Sequence, residues 1–408
     1  MLVLASSLFA SLACVALDSD KDDDPGSNLE GDTADTDSGD TDSGDTDSGD
    51  TDSGDTDSGD TDPPDDPQRM IATYADFGAR TGSWSLYGWP SATPLATGMD
   101  LGGPDNRIDC DAGAAVMLQR RTGVDDRATV VDLDSGAALA SVGFGPDAEP
   151  WDVALVDEEW WFALRATSTI EITDAVGNLL DTIDLAPWAD DDGTAQPASI
   201  RQDGDTTYVL LAGVDDTDAD DPYGTPRLLA FDAPSRTVEW ALDLSGRVAP
   251  VLGVAEGTTM YQHHSGLLVR GDVGMERVLA GGIEVVDLSA RTASGLLLTE
   301  AALNATIDAF GVRGGTGTAW LVLTDATTGV QTVNLLDLDT WTHTEVWRPT
   351  GFVVRVFTEA VDGTFWNLEV VRGETETQAY VHRDASFTEL ERFDFGPNLS
   401  GLTVCAAP

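Results

Sequence analysis

The chain has 408 residues and carries 73 Asp and Glu against 21 Lys and Arg, a formal net charge of −52. A charge of that sign excludes DNA and RNA phosphates as partners, since phosphate binding rests on basic groups. With 41% hydrophobic residues, 11 Trp and 12 Phe, the chain can still bury a sizeable core, and self-repulsion of this size promotes solubility.

Taken in chain order, the first segment is Met1 to Cys14, an apolar run ending in small residues. It is too short for a bilayer span of about 20 residues and reads as an export signal. Its end, Ser11-Leu12-Ala13-Cys14, resembles the lipobox of bacterial lipoproteins. That resemblance implies that Cys14 receives diacylglycerol and becomes the mature N-terminus. An ordinary cleaved signal and a short buried helix are the other readings.

Residues 15–68 form the second segment. From 15 to 66 there are 21 acidic groups and one base, Lys21, for a net −20, which leaves −32 for residues 67–408. The pentapeptide Thr-Asp-Ser-Gly-Asp runs five times from Thr36 to Asp60. Like charges, glycines and low hydrophobicity leave nothing to bury against the cost of ordering a backbone, so an extended disordered linker is expected. The repeat lacks the Gly and Glu placement of a calcium loop, and loose counterion binding is expected in preference to specific sites.

From Arg69 onward, short β-type runs alternate with turns. Val153–Val156, Glu159–Ala163, Thr169–Thr173 and Leu179–Leu185 make a four-stranded meander within about 33 residues. Similar units recur around Thr206–Leu242, Thr318–Trp347 and Val353–Phe393. Helical periodicity is confined to Glu300–Asn304, too short to matter. Four strands per unit at a period of 40–55 residues is the signature of a β-propeller. Innermost strands are expected near Cys110, Val153, Ile200, Leu252, Ile307, Val354 and Val404, separated by 43, 47, 52, 55, 47 and 50 residues. Seven starts predict an all-β fold of seven blades over residues 69–408, with six or eight as the neighbouring counts and the 252–307 interval as the weakest. The last start has no sequence after it, and residues 69–103 supply strands without an innermost partner. The two ends are therefore expected to complete one blade together, which removes an open edge.

The unit Pro150-Trp-Asp-Val-Ala-Leu-Val-Asp-Glu-Glu-Trp-Trp-Phe-Ala-Leu164 resembles the blade pattern of YVTN and NHL-type propellers, and Val361-Asp-Gly-Thr-Phe-Trp366 resembles the same turn followed by an aromatic strand. The resemblance implies fold and no chemistry, because propellers host many unrelated functions.

If Cys14 carries lipid, Cys110 and Cys405 remain, an even pair outside the cytosol. Both fall on predicted innermost strands of neighbouring blades, so a bridge locking the ring is expected; two separate buried thiols are the alternative. Tyr261-Gln-His-His264 is the sole histidine cluster, but adjacent residues on a strand point to opposite faces. A solvated or turn-capping pair is expected there rather than a metal site. Gly311–Gly317 opens no helix and reads as a turn, and no nucleophile elbow or phosphate loop occurs. Asp216, Asp218 and Asp220 alternate as in a calcium loop, yet the sixth position is Asp221 and the twelfth is Arg227. Structural calcium there is the single cofactor the residues suggest, and a solvated insertion is the preferred reading. Trp84, Tyr87, Trp89, Trp151 and Trp188 could line a carbohydrate platform, although packing between blades accounts for most propeller aromatics.

These observations point to an exported, lipid-anchored, monomeric propeller of the bacterial cell envelope, at the outer membrane or cell surface, with a secreted or periplasmic location as the alternative. A non-catalytic module binding a protein, peptide or glycan is expected, touching membrane through its lipid alone. The alternative is an enzyme centred on the channel, for which Asp109, Asp111, Asp152, Arg201 and Arg355 are the first suspects because they flank innermost strands. A purely structural envelope protein is the third reading.

Overall fold

The computed structural model describes residues 69–76, 81–88, 94–99, 105–111, 113–120, 125–190, 193–213, 224–247, 251–265, 267–271, 274–359, 363–371, 377–396 and 399–405. The expected signal, Cys14 and the linker lie outside them, as do Asp216, Asp218 and Asp220.

The described residues form seven four-stranded antiparallel sheets and one separate hairpin. Blades 1 to 6 occupy residues 105–145, 150–184, 197–243, 254–299, 305–347 and 353–396, each running from its innermost to its outermost strand in chain order. Blade 7 is composite. Leu399–Cys405 is its innermost strand and pairs with Arg69–Asp76 from the other end of the chain, with Arg69 opposite Cys405 and Met70 opposite Val404. The protein is a seven-bladed β-propeller.

Alternation and burial explain the layering within a blade. Second strands such as Ala114–Arg120 are buried along their whole length because both faces meet neighbouring blades. Outer strands such as Leu179–Asp184 and Thr342–Trp347 are almost wholly exposed. The core is correspondingly divided into seven hydrophobic clusters, one for each junction between blades. An open row of seven blades would have six junctions. The seventh, which packs Ile71, Trp84 and Leu86 of blade 7 against Ile108, Met117 and Val131 of blade 1, closes the ring.

Innermost strands lie at the expected positions except in blade 4, where the strand is Val254–Glu256 and Leu252 precedes it. The wide 252–307 interval has a physical cause: Leu267–Gly271 and Gly274–Val278 pair as an extra hairpin between the second and third strands of that blade. The short helix Glu300–Leu303 does form, capped by Thr299, and it matters more than its length suggests. Buried Glu300 accepts hydrogen bonds from Gly281 N at 3.0 Å and Ile307 N at 2.9 Å, tying blade 4 to blade 5. Gly314–Gly317 is a turn between the first two strands of blade 5, while Gly311 belongs to the strand Ala305–Arg313.

Cys110 and Cys405 are joined by a disulfide, Cα atoms 5.6 Å apart and 295 residues apart in sequence. It links the innermost strand of blade 1 to that of blade 7.

Candidate functional site

Two of the channel suspects come together. On Asp105–Asp111, Arg107 and Asp109 are two residues apart and so share a face of the strand. Arg107 Nε lies 3.4 Å from Asp109 Oδ2, and its Nη2 lies 3.1 Å from Asp152 Oδ1 on blade 2. The other oxygen of Asp152 accepts from Ile200 N of blade 3 at 2.8 Å. One buried carboxylate thus joins the innermost strands of three blades. Burial pushes the Asp109 carboxyl well above the usual carboxylate range; Arg107 draws it down, and the charge and hydrogen bond of Asp152 push it further up. A carboxyl pushed up in this way beside a second carboxylate has the arrangement of a proton donor and acceptor.

Trp151 sits beside this pair. It is the extra residue of a β-bulge, since pairing with the second strand shifts between Pro150 and Asp152. Bulges re-aim side chains, and the Trp151 ring lies 4.2 Å from the Arg120 guanidinium carbon and 4.8 Å from that of Arg165, within cation–π range. Arg107 and Arg120 were not among the expected site residues. The i, i+2 spacing of Arg107 and Asp109 was the available signal for the first. For the second there was none, because it reaches Trp151 across a blade junction.

Asp111 pairs with Ala114 in the same strand as Asp109, and its side chain lies outside the described residues. Arg201 is half-buried on the innermost strand of blade 3, opposite Tyr208. Arg355 is half-buried at a bulge on the innermost strand of blade 6. Neither forms an ion pair among the described residues. Among the described residues, Trp84, Tyr87, Trp151 and Trp188 are spread over separate blade junctions and form no common platform. Trp84 is core, as is Tyr87, whose hydroxyl hydrogen-bonds to that of Tyr74 at 3.0 Å; Trp188 packs on the cluster between blades 2 and 3, and Trp89 lies outside the described residues.

The histidine pair corrects the sequence expectation. On Thr259–His264, alternate residues are buried, and His264 is fully enclosed rather than solvated. Its Nε2 is 3.0 Å from Glu284, which also accepts from Ser245 N at 2.9 Å and Gly295 N at 3.2 Å. Burial opposes ionisation of Glu284, but His264 and the Ser245 bonds prevail and hold it below its usual range. Gly246 is there for space, as a Cβ would stand 2.0 Å from His264 Nδ1. This is a structural clamp, and among the described residues no group of three metal-ligating side chains forms.

No family model matches the chain, and no curated protein does. Solved structures share its architecture. Kuenenia stuttgartiensis hydrazine synthase aligns with a TM-score of 0.53 at 11% identity, covering 79% of this chain and 93% of that one. A 6-phosphogluconolactonase-like protein of Bacteroides uniformis gives 0.50 at 14%, covering 83% and 99%. A quinoprotein alcohol dehydrogenase-like protein of Bacteroides thetaiotaomicron gives 0.50 at 10%, covering 84% and 86%. The likeness is one of fold. At these identities it carries no substrate and no chemistry.

Proposed function

We propose that this chain is an exported, lipid-anchored propeller of the bacterial cell envelope that works as a non-catalytic binding module. The observation that carries this reading is the use of the channel-side charges: Asp152 has both oxygens engaged, one by Arg107 and one by Ile200 N, as a clamp between blades. Export is supported by the apolar run ending in Cys14 and by the Cys110–Cys405 disulfide, a bond that persists in oxidising compartments. The acidic linker suits a tether between anchor and propeller. The test is palmitate labelling of cells expressing the full chain, with Cys14→Ser as control, then cross-linking and protease shaving of whole cells. Label that disappears in Cys14→Ser, with a cross-linked envelope partner, is expected. Absence of label rejects the anchor, and absence of any partner rejects the module.

One observation favours a channel-centred enzyme as a second reading, namely that Arg107 brings Asp109 and Asp152 together, with burial pushing the Asp109 carboxyl above its ordinary range. On that reading Asp109→Asn abolishes turnover of a substrate while leaving the melting temperature nearly unchanged.

A further inference from the structure

Several arginines of this acidic chain pair with carboxylates even at the surface: Arg227 with Asp243, Arg236 with Glu159, and Arg348, its side chain 55% exposed, with Glu345. Arg201 and Arg355 do not. Both are half-buried on innermost strands, and among the described residues neither side chain has a hydrogen bond, an ion pair or a ring stacked on it. Carboxylates stand close to both. Asp203 is two residues beyond Arg201 and shares its strand face. Glu359 ends the strand of Arg355 and is taken by Arg313 and Trp320, while Asp308, at the same bulge position on blade 5, is taken by Thr306, Thr324 and Gln331. A shortage of acid therefore does not explain the two bare guanidiniums, and a partly desolvated charge without a counter-charge is costly.

Their position selects the missing counter-charge. Each stands mid-strand, where neighbouring blades cover both faces of the sheet, so its exposed part opens on the central channel. Arg355 is the extra residue of a bulge, in the place that Ala198 takes on blade 3. Arg201 lies three residues beyond Ala198, about 10 Å at the rise of a strand. Blades 3 and 6 are as far apart as a ring of seven allows. The channel thus carries two unpaired guanidiniums on opposite walls at different depths, whereas Arg107, Asp109 and Asp152 are joined to one another. A guanidinium has donors and no acceptor, and it grips the oxygens of a carboxylate or phosphate in pairs. A cation is repelled, a neutral hydroxyl leaves the charges uncompensated, and one small anion meets one wall. We propose that the central channel binds an elongated ligand with two or more oxyanion groups, carboxylates or phosphates, one held by Arg201 and another by Arg355. This goes beyond the binding-module reading and does not rest on it.

The test is isothermal titration calorimetry of the full chain, with citrate as the carboxylate probe, inorganic triphosphate as the phosphate probe and acetate as a monovalent comparison, all at a constant ionic strength of about 50 mM. At least one probe is expected to bind with a Kd below about 1 mM and more tightly than acetate, and its identity tells carboxylate from phosphate. The Kd is expected to rise at least about tenfold in Arg201→Gln and in Arg355→Gln, and to stay unchanged in Arg348→Gln. Neither channel variant removes a contact, so both are expected to melt with the wild type. Where one fails to fold, phenylglyoxal modification of the wild-type protein, mapped by mass spectrometry, takes its place: the probe then protects Arg201 and Arg355 and leaves Arg348 reactive. Binding no tighter than that of acetate, wild-type affinity in either channel variant, an equal loss in Arg348→Gln, or no protection of the two arginines overturns the proposal. A chain that cross-links to an envelope partner yet binds neither probe loses this inference and keeps the broader reading. One that binds a probe but finds no partner keeps the channel site and loses the module.

Discussion

Asp152 shows how much one side chain does in this ring. It is 4% exposed, it neutralises Arg107, and it satisfies the backbone N–H of Ile200 on the next blade. Replacing it with Ala leaves a buried guanidinium and a buried amide without that partner, so Asp152→Ala is expected to destabilise the propeller by about 3 kcal/mol, read from urea unfolding. A second set of carboxylates caps the turns between third and fourth strands. Asp132 accepts from Ser135 N and Oγ at 2.7 and 2.6 Å, Asp337 from Thr340 N and Oγ1 at 2.7 and 2.9 Å, and Asp384 from Ser386 N and Oγ at 2.8 and 2.7 Å. These bonds hold all three below the ordinary value of 3.8. The unfolded chain therefore takes up their protons first as pH falls. Their contribution is complete above 3.8 and is lost as pH drops through the folded values. Melts from neutral pH to about pH 3 should show Tm falling on the acid side, with a shallower fall and a lower starting Tm in Asp384→Ala.

At the scale of the element, the vulnerable part is blade 7, whose strands come from both ends of the chain and whose innermost strand carries Cys405. In the chain-entropy account a loop of 295 residues makes the disulfide worth up to about 5–6 kcal/mol, with measured values commonly nearer 2–4. Cys110→Ser with Cys405→Ser is expected to lower Tm and to raise amide exchange first in Arg69–Asp76 and Leu399–Cys405; equal exchange in all blades would contradict this. Elsewhere, polar side chains at the beginning of third strands staple one blade to the next. Asp126 accepts from Glu149 N at 2.8 Å, Gln331 bonds both N and O of Val354, and Gln378 donates to Leu399 O at 3.2 Å. These staples meet backbone groups that the sheets leave unpaired at blade junctions, which is why buried polar residues recur there.

Across the whole molecule, residues 67–408 carry a net −32, and several of their few arginines are already held in ion pairs, such as Arg236 with Glu159 and Arg392 with Glu369 and Glu389. Uncompensated like charge on a compact body opposes folding and is screened by salt. Raising sodium chloride from about 10 mM to about 0.3 M, where the Debye length falls from roughly 30 Å to below 8 Å, is expected to raise Tm. A fall would mean that attractive pairs outweigh the surplus.

The sequence by itself determined the all-β class, the rhythm of four strands per blade, the count of seven, the composite closing blade and the cysteine pair. All of these follow from local period-2 patterning, turn residues and spacing, which short stretches encode. It also showed a turn motif that strand reading passes over: an Asp followed three residues later by Ser or Thr, at Asp132, Asp232 and Asp337. Tertiary structure decided the rest. Arg107 with Asp152, His264 with Glu284, and Glu159 with Arg236 join residues 20 to 77 positions apart. Their meeting depends on register, bulges and the packing of one blade face on the next, and no local periodicity carries that information. The extra hairpin in blade 4 was hidden for the same reason, as its strands pair with each other and not with the sheet whose rhythm reveals the blades.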